Sequence, residues 1–382
     1  MTTLTGILEW PERAEGRVRQ LGDTLVEHDD DPFVPVALGQ VYPLRNGLEV
    51  TVEVIAKKPR RRRRRGGGSN GARPPRPVVE QIIAIEGMPP DDYAKRRPFE
   101  ELSSIDPEPR YTLEYPGCPD SCRLIDLFCP IGRGTRGLIV SPPKAGKTTL
   151  LKDIASAISR NYPDVEIMAM LIDERPEEVT DFRRSCPARV FASSNDRTTE
   201  NHIAVATMVT ERARCMVEAG KHVVILLDSL TRLGRAFNAS RKHANSGRTL
   251  SGGIDSKAMT VPRYIFGSAR NTEEAGSLTI LASCLVDTGS QGDQVIFEEF
   301  KGTGNMELVL DRKISERRIF PAINLAASGT RKEDKLLDPR TLETVTALRR
   351  RLLNMPPPQQ VEQLLAALKR FETNDDLVGL KG

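Results

Sequence analysis

The stretch Ser141-Pro-Pro-Lys-Ala-Gly-Lys-Thr148 stands between an apolar run, Gly137–Ser141, and a stretch with helical apolar spacing, Thr148–Arg160. Strand, glycine-bearing turn and helix start are the context a phosphate-binding loop requires. Gly146 lets the backbone approach an anion, and the amides of the turn, with the helix N-terminus behind them, face it. In such a loop Lys147 contacts the β- and γ-phosphates and the Thr148 hydroxyl holds Mg²⁺. Ser141 departs from the pattern, which opens on glycine.

A loop of this kind establishes binding; hydrolysis needs carboxylates at neighbouring strand ends. His222–Asp228 (HVVILLD) is an apolar strand closing on Asp228, where a P-loop enzyme keeps an acid near the Mg²⁺ shell. Glu166–Asp173 is another such strand, and it runs into LIDERPEEV, so Asp173 or Glu174 is placed to polarise an attacking water. Pattern alone does not choose between the two acids.

These strands belong to a distinct zone. From Pro130 onward, continuous apolar runs (Gly137–Ser141, Glu166–Asp173, His222–Asp228, Ser277–Asp287) alternate with helical stretches, the sign of a parallel α/β sheet. Gln359–Arg370 carries Val361, Leu364, Leu365 and Leu368 on one helical face. Residues 1–56 hold short β-like runs, Thr5–Trp10, Val34–Val36 and Gly47–Ile55, and Pro77–Glu86 adds another. Together they predict a small barrel over 1–86, interrupted by a structureless insertion at 57–77. Residues 87–129 read as a Pro-rich irregular connector, and 130–382 as the α/β domain.

Composition narrows the class. The 382 residues are 38% hydrophobic and 28% charged, a globular balance. No apolar run approaches the ~20 residues of a membrane helix, and the first residues do not form a secretory signal, so a cytoplasmic protein without membrane attachment is expected. Six cysteines are too sparse for a disulfide scaffold, and Cys118, Cys122 and Cys129 lack partners to complete a zinc set. The net charge is +4, yet Lys57–Arg76 alone holds ten basic and no acidic residues; removing it leaves −6. The basic character is therefore a local arm suited to a polyanion.

GRGTRGLIVSPPKAGKT (132–148), LIDERPEEV (171–179), LLDSLTRLGRAFN (226–238), LSGGIDS (250–256), FEEFKGTGNMEL (297–308) and SGTRKEDKLLDP (328–339) closely resemble the family of bacterial Rho-type transcription termination factors. The resemblance runs nearly unbroken from Leu124 to the end, and in that family the first loop glycine is commonly missing. It implies an α/β fold, a RecA-like P-loop ATPase core preceded by a small OB-like (cold-shock-type) β-barrel. It also implies a homohexameric ring with ATP at subunit interfaces, single-stranded RNA in the channel and the RNA polymerase elongation complex as target.

Carried over, the resemblance assigns Gly132, Arg133, Gly134, Thr135, Arg136, Gly137, Lys144, Ala145, Gly146, Lys147, Thr148 and Thr149 to the nucleotide. Glu174 activates water, Asp228 supports the metal, and Arg175 is a further nucleotide contact. Arg331 looks like an arginine finger reaching into the neighbour's site, Arg318 like a second interface arginine, and Phe320 like the residue that packs on adenine. Asn238–Gly253 matches a channel loop whose Arg241, Lys242 and Arg248 would hold RNA phosphates. Thr288–Asp293 matches a second channel loop, in which Gln291 replaces the usual Lys or Arg, and Lys301 matches a basic residue near the channel.

The N-terminal zone departs further. The family's aromatic-rich strand reads Glu15-Gly16-Arg17-Val18-Arg19 here, so base stacking, about 1–3 kcal/mol per base, is expected to weaken. Phe33 and Trp10 are candidate substitutes, with Trp10 more in keeping with a core residue, and Arg60–Arg65 offers sequence-blind phosphate attraction. Because a barrel-like strand begins by Gly6, the small helical segment that precedes the barrel in the family is expected to be absent. The reading is an RNA-stimulated ATPase, a translocase that releases transcripts. Its rivals are a rotary or secretion ATPase subunit on the same core, and a Rho-like RNA- or polymerase-binding ring with weak translocation.

Overall fold

The computed structural model describes residues 2–11, 14–20, 30–56 and 77–379. The basic run Lys57–Arg76, with Arg60–Arg65, lies outside the described residues. The chain packs as two units: Met1–Glu101 with Thr207–Ala219, and Leu102–Ala206 with Gly220–Gly382.

In the first unit, strands β1 (Thr2–Glu9), β2 (Gly16–Gln20), β3 (Phe33–Val34), β4 (Glu49–Ala56) and β5 (Pro77–Ile85) close a barrel in the order β1-β2-β3-β5-β4. The period-2 pattern of β4 sends Val50 and Val52 inward to meet Leu8, Val18, Val34 and Val79. The run expected at Val34–Val36 ends as strand at Val34. Pro35 has no N–H to extend the ladder, and Val36–Val41 turns into a short helix.

Thr207–Ala219 brings buried charge to this unit. Arg212 pairs with Glu86 and, at 3.2 Å, with Glu49. Glu218 takes Tyr93 Oη at 3.0 Å and the Phe99 N–H at 2.6 Å, and it pairs with Arg45.

The second unit holds β6 (Ser104–Ile105), β7 (Arg110–Tyr111), β8 (Ile131–Gly132), β9 (Arg136–Ser141), β10 (Glu166–Glu174), β11 (Arg189–Ser194), β12 (His222–Asp228), β13 (Arg270–Thr272), β14 (Ser277–Leu285), β15 (Met306–Val309) and β16 (Gly329–Thr330). The main sheet runs β11-β10-β12-β14-β9-β15-β16, parallel up to β15, with β16 antiparallel at the edge. Its central strands are buried along nearly their whole length and mostly apolar, as strands covered on both faces are.

The stretch 87–129 is less irregular than its prolines suggest. After Pro119 it forms the helix Asp120–Phe128, whose Leu124, Ile125 and Phe128 are buried in the same core as Leu151, Ile154 and Ile158. Apolar residues in a nine-residue helix suffice to bring it into that core.

Candidate nucleotide site and channel loops

Parallel strands carry their C-terminal ends to one edge of the sheet, where ligands of such folds bind. Ser141, Glu174 and Asp228 are the last residues of β9, β10 and β12. The loop after β9 turns through Lys144 (φ 66°) and Gly146 (φ 92°) into the helix Lys147–Asn161. At Gly146 the left-handed conformation favours a residue without Cβ. Lys144 and Thr149 are exposed, Ala145 is buried, and Thr148 sits half-buried in the first helical turn.

Lys147 Nζ stands 2.5 Å from Asp228 Oδ1, which also accepts from Ser283 Oγ at 2.9 Å. Glu174 is buried, with Oε1 3.1 Å from Arg232 Nη2 and Oε2 lacking any hydrogen-bond partner. Burial first, then the negative charge of Asp228, raises its carboxyl to about 7, against the opposing pull of Arg232 and Lys147. Asp173, at φ 56°, is half-exposed, and its carbonyl accepts from Arg232. Of the two acids, Glu174 is the buried one and Asp173 the more exposed.

Beside the loop is a cavity of about 420 Å³, lined by Lys144, Ala145, Gly146, Thr149 and, opposite them, Phe320. Phe320 is 45% exposed, unusual for a phenyl ring, and a Cβ at Gly146 would lie 3.6 Å from it. An apolar plate across from a phosphate loop suits a planar base. Arg318 (φ 61°) is exposed two residues before it, and Arg175 is exposed at the start of the helix Pro176–Ser185.

Two groups from the sequence reading are not brought to this edge. Arg136 opens β9 and Ser141 closes it, so the segment Gly132–Arg136 lies ~17 Å away at the far edge. There Arg133 Nη1 meets His222 Nε2 at 2.7 Å and the Gly134 N–H donates to Thr279 Oγ1 at 2.8 Å. Thr135 and, within β9, Gly137 are buried. Arg331 is exposed at that same far edge: Thr330 pairs with Met306, and Met306 with Gly137.

The loops 238–253 and 288–293 do meet. Gly252 (φ 71°) nests on the Gln291–Gly292 backbone, where a Cβ would come within 2.6 Å. Gln291 begins the helix Gln291–Lys301 and is exposed. Buried Asp293 anchors that turn, accepting from Arg235 at 2.8 and 2.6 Å and from Thr288 Oγ1 at 2.6 Å. Arg241, Lys242 and Arg248 are exposed in the loop opposite. Lys301 is not with them. It ends the same helix, ~15 Å from Gln291, with Nζ 5.6 Å from the Phe297 ring.

Sequence reading missed Arg232, Ser283 and Arg235. The one signal for Arg232 was its place a single helical turn after Asp228; Ser283 and Arg235 depend on strand register and helix packing.

Sheet, loop and strand-end acids define a RecA-like P-loop ATPase core, preceded in the chain by an OB-like barrel. The model of the ATP synthase alpha/beta family nucleotide-binding domain matches residues 121–330. The transcription termination factor Rho of Aquifex aeolicus is 46% identical over 377 residues, covering 98% of this chain and 83% of that protein. The Borreliella burgdorferi Rho is 46% identical over 371 residues, 97% of this chain and 69% of that protein. The chain therefore belongs to the transcription termination factor Rho family and is an ATP-binding, ATP-hydrolysing enzyme. Among solved structures, an ATPase from the type III secretion system of pathogenic bacteria matches with TM-score 0.57 at 23% identity, over 75% of this chain and 77% of that one. At that identity the likeness is one of fold. Among the described residues no helix is long and apolar enough to cross a membrane.

Proposed function

We propose that this chain is the subunit of a homohexameric, cytoplasmic motor that binds nascent single-stranded RNA, hydrolyses ATP in response, and pulls the transcript from the RNA polymerase elongation complex. In this reading 1–86 is the RNA-binding barrel with its basic insertion at 57–77, 87–129 the connector, and 130–382 the motor. The observation that carries it is the position of Arg331, exposed and a strand's length from its own phosphate loop. A cation there is useful to hydrolysis only at a second subunit's nucleotide, which ties catalysis to assembly.

Each residue then has a task. Lys144, Gly146 and Lys147 bind phosphates, and Lys147 exchanges its carboxylate partner for them. Glu174 Oε2, buried and unpartnered, accepts a proton from the attacking water. Phe320 stacks on the base; Arg175 and Arg318 flank the nucleotide. The Thr148 hydroxyl and the Asp228 carboxylate are hard oxygen donors of the kind Mg²⁺ takes, and they would hold it. A bound Mg²⁺ would neutralise phosphate charge. Arg241, Lys242, Arg248 and Gln291 grip RNA at the touching channel loops. Lys301, at the far end of its helix, would reach RNA phosphate only at a second point along the strand.

On the barrel, the Arg17 guanidinium lies 5.1 Å from the centre of the Phe33 ring. This pair offers a base one flat surface and one cation in place of the missing aromatic strand. Trp10 does not compete for that role: it packs against Gly16 and Gly39, where added Cβ atoms would come within 2.5 and 2.2 Å of its ring.

The test is release of radiolabelled transcript from stalled elongation complexes by the full chain. Release that needs hydrolysable ATP supports the motor. Binding to RNA or polymerase without release, with ATP turnover intact, would favour the second reading, a binding ring with weak translocation, to which the neutral Gln291 points.

A further inference from the structure

The segment Gly132–Gly137 is separated by the geometry from its own loop and comes to lie with Arg331. Asn305 joins the two. Its Oδ1 accepts from the Arg136 N–H at 2.8 Å, its N–H donates to the Arg136 carbonyl at 3.0 Å, and its carbonyl accepts from the Arg331 N–H at 2.8 Å.

The Arg136 guanidinium is itself fixed. Nε donates to the Thr303 carbonyl at 3.1 Å and Nη1 to the Ala269 carbonyl at 2.9 Å. With Gly134, Arg270, Asn305, Asp106 and Lys335 it lines a cavity of about 650 Å³. Burial, then the charges of Arg270 and Arg331, pushes its guanidinium below the ordinary arginine range. Arg136, Arg270 and Arg331 therefore share one edge, while Lys335 beside them is paired with Asp106 at 2.7 Å and Glu108 at 3.3 Å. Arg136 is tethered to two chain segments and cannot swing away, whereas Arg331 is exposed. Repulsion of this kind disfavours an Arg331 side chain folded back over Arg136.

We propose that Arg136 is a positioning residue for Arg331: tethered by Thr303, Ala269 and Asn305, it presents the Arg331 guanidinium to the phosphates of the adjacent subunit's ATP. The segment 132–137 then serves the neighbour's site rather than its own. This rests on the reading of Arg331 as a cation given across the interface.

The experiment mixes full-length variants before ring assembly and reads RNA-stimulated ATP hydrolysis. Alone, Arg136→Gln is expected to lower kcat ~10–100-fold with little change in the KM for ATP, since displacing a catalytic group by about 1 Å costs on that order. Arg136→Lys, which keeps the charge, retains more activity. Lys147→Ala and Arg331→Ala are nearly inactive. In a mixture of Arg136→Gln with Lys147→Ala, intact loops of the first face intact far edges of the second, and activity returns above the sum of the parts. A protein damaged merely in its fold would not be rescued this way.

Recovery with Arg331→Ala plus Lys147→Ala, but not with Arg136→Gln or Arg136→Lys plus Lys147→Ala, would overturn the proposal and leave the Arg331 reading standing. Recovery in neither mixture would remove both. Loss of RNA affinity in Arg136→Gln, with kcat at saturating RNA unchanged, would also overturn it, assigning the cluster to RNA phosphate.

Discussion

Glu174 gives one carboxylate oxygen to Arg232, at 3.1 Å, and leaves the other buried and without a partner. A carboxylate so divided is oriented by one oxygen and reactive at the other. Glu174→Gln keeps the shape and the hydrogen bond but removes the base. RNA-stimulated hydrolysis is expected to fall ~10²–10⁴-fold. Binding of a fluorescent ATP analogue should change little, and a parallel loss of binding would show that Glu174 holds nucleotide instead.

The same environment sets a pH dependence. The Glu174 carboxyl is raised to about 7, and a base works only when ionised. The rate should therefore rise with pH through that region and level off above it. Arg232 opposes the rise in pKa, so Arg232→Gln should move the rising limb to higher pH. A limb that stays put, or moves down, assigns the titration to another group.

Phe320 faces the loop as an exposed ring. Phe320→Ala removes stacking of about 1 kcal/mol, so KM for ATP should rise ~5-fold while kcat holds. An unchanged KM would detach the base from this cavity.

On the barrel, Phe33→Ala should weaken binding of a cytidine oligomer by about 1–3 kcal/mol with the salt dependence intact. Replacing Arg60–Arg65 by Ser should do the reverse, flattening the slope of log K against log salt. Titrations at several salt concentrations separate the two contributions.

Stability of the barrel unit should depend on Arg212. Its guanidinium is buried between Glu86 and Glu49, so Arg212→Ala strands carboxylates without their partner. A loss of about 3–5 kcal/mol is expected. Chemical denaturation followed through Trp10 reads this unit directly, and a loss below 1 kcal/mol would contradict the account.

Much of the motor was legible because its signals are local. The loop around Gly146 and the acid at Asp228 sit next to their own strands, and burial of β12 and β14 on both faces leaves runs without a charged residue in their interior. The partners of those residues were not legible. Arg232 and Ser283 reach the site through register between strands distant in sequence. The place of the segment Gly132–Gly137 was not legible either: it adjoins the loop in sequence, but a six-residue strand carries it to the other edge. Thr207–Ala219 reads as an ordinary helix segment, and nothing local shows that Arg212 and Glu218 pair with residues of the barrel unit.

The central claim is that RNA licenses hydrolysis at a site completed by a neighbour's Arg331. The direct measurement is ATP turnover with and without single-stranded polycytidine or a mixed-sequence RNA, for the natural chain and for Arg331→Ala. The account predicts strong RNA stimulation that the substitution abolishes, by about 10³-fold or more, with ATP binding retained. RNA-independent turnover, or full stimulation in Arg331→Ala, would contradict it.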